Sequence, residues 1–545
     1  MVAQANYWWK IFQTGDAQGI LAGLAAHSGQ ISVGLSQGFS AVLIPKLLET
    51  NFATVSETSW IASLGVISNP LGALIAGSSA EFFGRRSAIA LATLPHMAGW
   101  LLIALSTNVP MLYVGRFISG IGTGMANGLY LYVSEAAAPH QRAWLASSGP
   151  VLVSFGVLMI YTLGALTTWQ RTAAISIGPA ILSLALTRML PETPAWLARR
   201  GRVEEAKESL IWLRGSGAGT ENEYRELCET NEKREQEKSN IFEALKSPSV
   251  WKPFLILFVF FALQQISGIY VLLFYAVTVL EEIGVLIDGY AGSVGLALIR
   301  LVASLLGVAL AGHFGRKTLA CASGFGMAFS AAGVALSIRY SVPSWAPLIC
   351  IALHVGFSMI GYLTLPWVMT SELYPLRFRG AVGGLTTSIA QIMTFASIKT
   401  YPDMNGAIGL EGTMWTFACA ALAGATFAIT VLPETRGRSL DQIECRFSGD
   451  CPIIENPTNV VVVADTKNVT LKRFASISEE KYQNMTSNAF TYDNFSLDMT
   501  DENRTKNNDV LTFGKREWTT TTTTKTSEPA RKPVVSTICL EHAYL

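Results

Sequence analysis

The chain has 545 residues, of which 50% are hydrophobic and only 14% charged, with a mean hydropathy of +0.36 and a formal net charge of +1. A soluble domain carries about 25% charged residues, so the composition excludes a wholly soluble protein and disorder over the whole length. The balanced charge gives no overall attraction to nucleic acid or to an anionic surface, and a membrane protein is the expectation.

In chain order, residues 1–18 read as a cytoplasmic N-terminus; Met1–Gly19 shows no short apolar core with a cleavage site. Residues 19–190 hold six candidate spans, centred near 33, 69, 97, 122, 156 and 180. Residues 253–440 hold six more, near 266, 300, 328, 357, 390 and 422. Several stretches lack Asp, Glu, Lys and Arg altogether: 143–170, 253–280, 318–338, 341–371 and 413–432. Each reaches the roughly 20 residues a helix needs to cross the hydrocarbon core. Lipid offers backbone groups no partner, so helices are the natural spanning element. The alternating pattern of a membrane barrel is missing. The predicted fold is an all-α membrane protein, with twelve transmembrane helices in two six-helix bundles.

Orientation follows from Lys and Arg in the short loops. Lys10, Arg85, Arg86, Arg142, Arg316, Lys317, Arg377, Arg379, Arg436 and Arg438 fall on one side, with little beyond Lys46, Arg171, Arg339 and Lys399 on the other. Both termini are predicted cytoplasmic, in the plasma membrane. Residues 191–252, dense in charge of both signs, link the bundles. There Val203, Ala206, Leu210 and Leu213 recur at helical spacing, an amphipathic helix serving as a solvated linker or a cytoplasmic lid. Residues 441–545 are rich in Asn, Thr, Ser and charge, and are predicted to be a disordered cytoplasmic tail with no apolar content able to dock. Its Asn-x-Ser/Thr patterns at Asn468, Asn484, Asn494 and Asn503 are chance matches on that side of the membrane. Its end, Ala543-Tyr544-Leu545, is inert or a strand for a tail-binding cytoplasmic protein. The seven cysteines place no pair in an extracellular loop, metal-ligand spacing is missing, and no cofactor is implied.

The sequence repeats itself. Gly84-Arg85-Arg86 recurs as Gly315-Arg316-Lys317, Glu135 with Arg142 as Glu372 with Arg379, and Pro191-Glu192-Thr193 as Pro433-Glu434-Thr435. The spacing between copies is nearly constant, so the halves are copies of one six-helix unit in the same orientation. Parallel repeats of this kind build secondary transporters whose substrate site lies between the halves near the midplane.

These motifs resemble the sugar porter family of the major facilitator superfamily over roughly residues 19–440. The residues are Gly77 to Arg86, Gly115-Arg116-Phe117, Glu135 to Arg142, Pro191-Glu192-Thr193-Pro194-Ala195-Trp196-Leu197, Gln264-Gln265-Ile266-Ser267-Gly268, Pro366-Trp367, Glu372-Leu373-Tyr374-Pro375 and Pro433-Glu434-Thr435-Arg436-Gly437. Within the family the chain is most similar to the insect facilitated trehalose transporters and their relatives. The departures fall on the substrate side. Tyr270 stands where the family has Asn, Gly361-Tyr362-Leu363-Thr364-Leu365 precedes Pro366-Trp367, Ala390-Gln391 replaces an Asn-Trp pair, Pro150 aligns with a Gln, and Gly312 replaces an acid. Glucose specificity therefore does not carry over.

A sugar presents hydroxyls around apolar C–H faces, so its site needs fixed donors and acceptors and an aromatic plane. Gln supplies both hydrogen-bonding roles. Gln264 and Gln265 sit mid-span, where an unpaired amide is costly; spacing puts Gln264, Gly268, Val271 and Tyr275 on one helical face. The resemblance implies that this pair contacts sugar, against the plainer reading of helix–helix hydrogen bonding. Trp367 and Tyr270 are candidate aromatic surfaces, and Thr364, Gln391 and Thr394 weaker polar candidates. Glu81, Arg85, Arg86, Arg116, Glu135, Arg142 and Glu192 in one half, with Arg316, Lys317, Glu372, Arg379 and Glu434 in the other, read as cytoplasmic gating charges that bias a two-state equilibrium. Setting orientation alone would explain the Arg and Lys residues but not the repeated Glu. Arg300 lies mid-span with no obvious acidic partner, and His27, His96 and His354 read as packing residues. Proton-coupled sugar porters resembling this chain carry an acid after a Gly-aromatic pair in the first helix; the run here is Gly38-Phe39-Ser40, and Ser40 cannot titrate.

The expectation is a facilitative sugar transporter and not an enzyme, working as a monomer by alternating access on a hexose or a disaccharide. The competing readings are a sugar sensor signalling through the tail, and a facilitator of polyols or another small polar solute.

Overall fold

The computed structural model describes residues 17–138, 141–215, 220–225, 227, 247–284, 288–375, 378–436 and 440–448, and short strands between 460 and 537. The described residues up to Ser448 belong to one compact unit, and its regular elements are all helices. Nine stretches among the described residues are long and apolar enough to cross a membrane, and the last of them, Val382–Thr430, carries two spans. The bend between these two is at Gly409, whose φ of 69° suits only a residue without a Cβ. The fourth span (Val109–Met125 and Asn127–Ala136) and the sixth (Trp169–Ile175 and Ile177–Arg188) complete the twelve predicted.

Many spans are broken, and the breaks have local causes. The first divides at Ser28, the second at Ser68 ahead of Pro70. The seventh runs as Pro248–Ile266, Ile269–Phe274 and Ala276–Glu282, parted by Gly268 at φ 81° and by Tyr275 at φ −124°. The tenth passes from Trp345–Phe357 through a π-turn, Ser358–Tyr362, to Leu365–Leu373. A π-turn followed by Pro366 frees backbone carbonyls, and inside a bundle these need side-chain donors. Small residues let spans touch: a Cβ on Gly34 or Gly156 would strike the backbone of the fifth or the first span.

The linker begins as two helices, Pro194–Arg199 and Val203–Arg214. The second is amphipathic as predicted, burying Ala206, Leu210 and Leu213; Val203 stays exposed. Leu213 joins the core of the first bundle, with Ala22, Ala26 and Leu145.

At the other end the structure corrects one expectation. The helix Leu440–Ser448 begins where the tail was predicted to start, and it docks. Ile443 and Phe447 are buried in the core, and the Phe447 carbonyl accepts from Lys252 Nζ at 3.1 Å. Alternation of Leu440, Ile443 and Phe447 at helical spacing was the available signal. Truncation after Ser448 should therefore leave thermal stability unchanged, while truncation after Leu440 should lower the melting temperature measurably. Burying one such side chain contributes about 1.5–3 kcal/mol.

Residues 449–545 form a second unit. Within it Val460–Asp465 pairs antiparallel with Asn468–Arg473 and with Val535–Thr537, and Val510–Phe513 pairs with Arg516–Thr519. Asn484, Asn494, Asn503 and the terminal Ala543-Tyr544-Leu545 lie outside the described residues.

Candidate functional site

The double-Gln run stands where the seventh span breaks. Gln264 Nε2 donates to the carbonyls of Tyr362 at 2.7 Å and Leu363 at 3.0 Å, the groups released by the π-turn of the tenth span. Gln265 Nε2 donates to Gln264 Oε1 at 3.2 Å, and the buried Gln265 Oε1 has no partner. The Gln265 carbonyl accepts from Ser397 of the eleventh span. The two amides thus divide: Gln264 holds the tenth span, and Gln265 keeps a free acceptor. The single helical face predicted for Gln264 to Tyr275 does not survive the turn at Gly268. The Tyr275 hydroxyl instead donates to the Ile398 carbonyl at 3.3 Å, and its ring lies 4.8 Å from that of Tyr401.

Other candidates scatter around this point. Trp367 is half-buried and meets Phe261 edge to face at 5.0 Å. Thr364 only bonds back to the Gly361 carbonyl, and the buried Thr394 to that of Ala390. Gln391 meets Asn69 of the second span at 3.1 Å, a bond that joins the two halves. Oriented so that its nitrogen donates to the Gly65 and Gly120 carbonyls, Asn69 turns its oxygen toward Gln391. Sequence reasoning missed Asn69; an amide inside an apolar span was the signal. Arg300 is buried on the eighth span, and its electrostatic neighbours are Tyr161 of one half and Tyr270 of the other.

The end of the molecule bearing Arg85, Arg142 and Arg316 carries one charged cluster per half, built alike. In the first, Arg85 Nε lies 3.1 Å from a Glu135 carboxylate oxygen, Thr193 Oγ1 donates to Glu135 at 2.6 Å, and Arg199 pairs with Glu135 at 3.1 Å and reaches Glu81 at 3.9 Å. Glu81 also pairs with Arg85 at 3.4 Å. Glu192 accepts the backbone N–H groups of Arg85 and Arg86 at the start of the third span, an N-terminal site suited to a carboxylate. In the second, Arg316 pairs with Glu372 at 2.9 Å, Thr435 donates to Glu372 at 2.6 Å, and Glu434 accepts from the N–H groups of Arg316 and Lys317. Arg199, Thr193 and Thr435 were not singled out from the sequence; their place beside the repeated Glu was the signal. Arg142 stays exposed outside this network, and the Arg379 side chain lies outside the described residues.

Equivalent position does not mean equal electrostatics. Burial pushes the Glu192 carboxyl above the usual range, against N–H donors from Thr193, Arg86 and Arg85. At Glu434 burial also pushes upward, but donors from Arg436, Arg316, Lys317 and Thr435 outweigh it and hold the carboxyl below its usual range. Ionised Glu434 therefore stabilises the fold above the ordinary carboxylate pKa, and that stability is lost as pH falls through its depressed value. For Glu192 the sign reverses, since the folded protein prefers the protonated form. At neutral pH, Glu434→Gln should lower the melting temperature more than Glu192→Gln, which thermal unfolding of the two variants measures.

Arg116 does not belong with these charges. It sits two turns into the fourth span from the opposite end, fully buried, donating to the carbonyls of Ile61 and Ser36 and, at 2.7 Å, to Ser40 Oγ. It ties the first, second and fourth spans together, because carbonyls and a hydroxyl satisfy a buried guanidinium that has no acid beside it.

At that opposite end the halves hold each other. Lys399 Nζ donates to Ser59 Oγ at 2.7 Å and lies over the Trp60 ring, which faces Phe395. The Tyr161 hydroxyl donates to the Leu273 carbonyl at 2.6 Å. Lys46 donates to the Gly164 and Thr167 carbonyls and lies 4.9 Å from the Tyr290 ring centre. At the charged end, every ion pair among the described residues stays within one half or its linker.

Twelve helices in two like halves, paired motifs at one end and a polar seam between them define the chain's relatives. The family described as sugar (and other) transporter matches residues 8–447. The chain belongs to that family. It is a membrane transport protein and not an enzyme. It is 32% identical over 444 residues to the facilitated trehalose transporter Tret1 of Apis mellifera ligustica, covering 79% of this chain and 88% of that one. The Bombyx mori protein of the same name is 29% identical over 446 residues, covering 80% and 88%. Among solved structures, the proton:xylose symporter XylE bound to 6-bromo-6-deoxy-D-glucose superposes with a TM-score of 0.68 at 22% identity, covering 79% of this chain and all of that one, a likeness of fold.

Proposed function

We propose that the protein is a uniporter that moves a hexose or a disaccharide such as trehalose across the plasma membrane by alternating access, as a monomer with both termini in the cytoplasm. The observation that carries this reading is the seam between the halves. It is latched at the end away from the charged clusters, Asn69 meets Gln391 across it, and the C-terminal half keeps a free acceptor on Gln265 where its seventh span breaks. The state described is then closed to the outside. Gln265 accepts from a sugar hydroxyl, Trp367 and Tyr270 cover its apolar face, and Gln391 exchanges Asn69 for substrate. When the outer latch opens, the charged clusters of the two halves come together, and their charges set the balance between the two states.

Passive transport is supported by Arg116. Its partners on the first span are the Ser36 carbonyl and the Ser40 hydroxyl, neither of which can release a proton near neutral pH, so no carboxylate stands at this contact. The relatives named trehalose transporters favour trehalose as the first solute to test.

The sensor reading has one observation behind it, the bulky Tyr270 and Arg300 beside the seam, which narrow the room for a sugar. Counterflow with labelled trehalose, glucose and a polyol in liposomes containing the full chain separates the readings. Saturable exchange of one of the sugars is expected. Binding without exchange would overturn transport in favour of the sensor, and exchange of the polyol alone would overturn the sugar.

A further inference from the structure

Arg300 and His354 are buried polar groups that neither the family motifs nor the charged clusters use. Both line one small cavity, walled otherwise by Val157 and Tyr161 of the fifth span, Ile269 and Leu272 of the seventh, and Ser358 of the tenth. Arg300 is 7% exposed and His354 2%. Arg300 Nε has no partner, and among the described residues the guanidinium forms no ion pair; its electrostatic neighbours are Tyr161 and Tyr270. His354 Nδ1 lies 3.2 Å from the Met327 carbonyl, and the ring also meets the Ser267 carbonyl. Carbonyls only accept, so the ring serves them as a donor, and Arg300 is the group left without a counterpart.

A permanently charged guanidinium without an acid inside a membrane bundle is costly. A neutral tyrosine nearby offsets little of that cost; an anionic oxygen offsets more of it, through shorter and stronger hydrogen bonds. Contrast Arg116, also buried and without an acid, whose nitrogens are spent on carbonyls and a serine hydroxyl. Arg300 has no such set. It lies where the fifth span of one half faces the eighth of the other, which is where a carrier of this build must hold its cargo.

We propose that the cargo is a sugar acid whose carboxylate pairs with Arg300. The orphaned guanidinium asks for a strong acceptor, which the carboxylate of a sugar acid supplies. This rests on the transport reading and moves its preferred substrate from a neutral sugar to an anionic one.

The test is counterflow in liposomes containing the full chain, with glucose and glucuronate compared on wild type, Arg300→Gln and Arg300→Lys. Glucuronate is expected to be preferred about tenfold or more by wild type, a modest share of what a charge-assisted pair supplies. Arg300→Lys should keep that preference, since the charge remains, and Arg300→Gln should reverse it. Reversal is a change of selectivity, which a folding defect does not produce. Movement of glucose in preference to glucuronate by wild type overturns this proposal and leaves the carrier reading standing, as does an unaltered preference in Arg300→Gln. Movement of neither solute by inserted protein overturns this proposal, and it overturns the carrier reading as well only if labelled trehalose also fails to exchange.

Discussion

Gln265→Ala is expected to lower sugar transport about tenfold with the protein still inserted and stable, while Gln264→Ala should cost stability first. The two side chains are neighbours in sequence but do different work. Gln264 Nε2 satisfies two carbonyls that the π-turn of the tenth span leaves without helical partners. Removing it strands both in an apolar interior, at about 1–3 kcal/mol each. Gln265 contributes one bond, to Gln264, and holds a buried oxygen with no partner. Its removal frees one orphaned oxygen and leaves another, Gln264 Oε1, so the net change in folding should be small. A sugar hydroxyl donating to that oxygen would be lost, and one such bond of about 1–2 kcal/mol corresponds to roughly tenfold in affinity. Melting temperature and uptake, measured on the two variants at equal insertion, separate the roles. Wild-type uptake by Gln265→Ala would remove this residue from the site.

Glu372→Gln is expected to slow turnover about tenfold while sugar affinity stays near wild type. Both Glu372 oxygens are engaged in its own half, one by Arg316 Nη2 and one by Thr435 Oγ1. A neutral amide cannot accept at both ends, so the Arg316 charge loses its partner at the edge of the bundle. A change confined to this end alters the balance of states without touching the sugar, and a shift of about 1.4 kcal/mol moves that balance tenfold. Turnover and binding at equal surface expression measure the two quantities separately. Wild-type turnover would remove these charges from the gate.

The fold was largely legible because lipid imposes one rule on every span: apolar residues for about 20 positions and charge at the ends. The offset motifs at Gly84 and Gly315, Glu135 and Glu372, and Glu192 and Glu434 carried the two-fold organisation, and each pair occupies the same place in its half. What was not legible depends on helix breaks. Spacing treated the seventh span as one helix, and Gly268 in the left-handed region turned Tyr275 away from the Gln pair toward Ile398. Arg116 shared its charge type with the gating residues, but its distance along the fourth span put it at the other end of the bundle. Asn69 escaped notice because its partner, Gln391, lies in the other half and far off in the chain. The docking helix Leu440–Ser448 was hidden by the polar composition around it.

Uptake into liposomes with and without an imposed pH difference tests the central claim most directly. With Ser40 facing Arg116, labelled substrate should enter saturably and level off at the external concentration, whether or not a proton gradient is present. Accumulation above that concentration, driven by the gradient and removed by an uncoupler, would contradict passive alternating access.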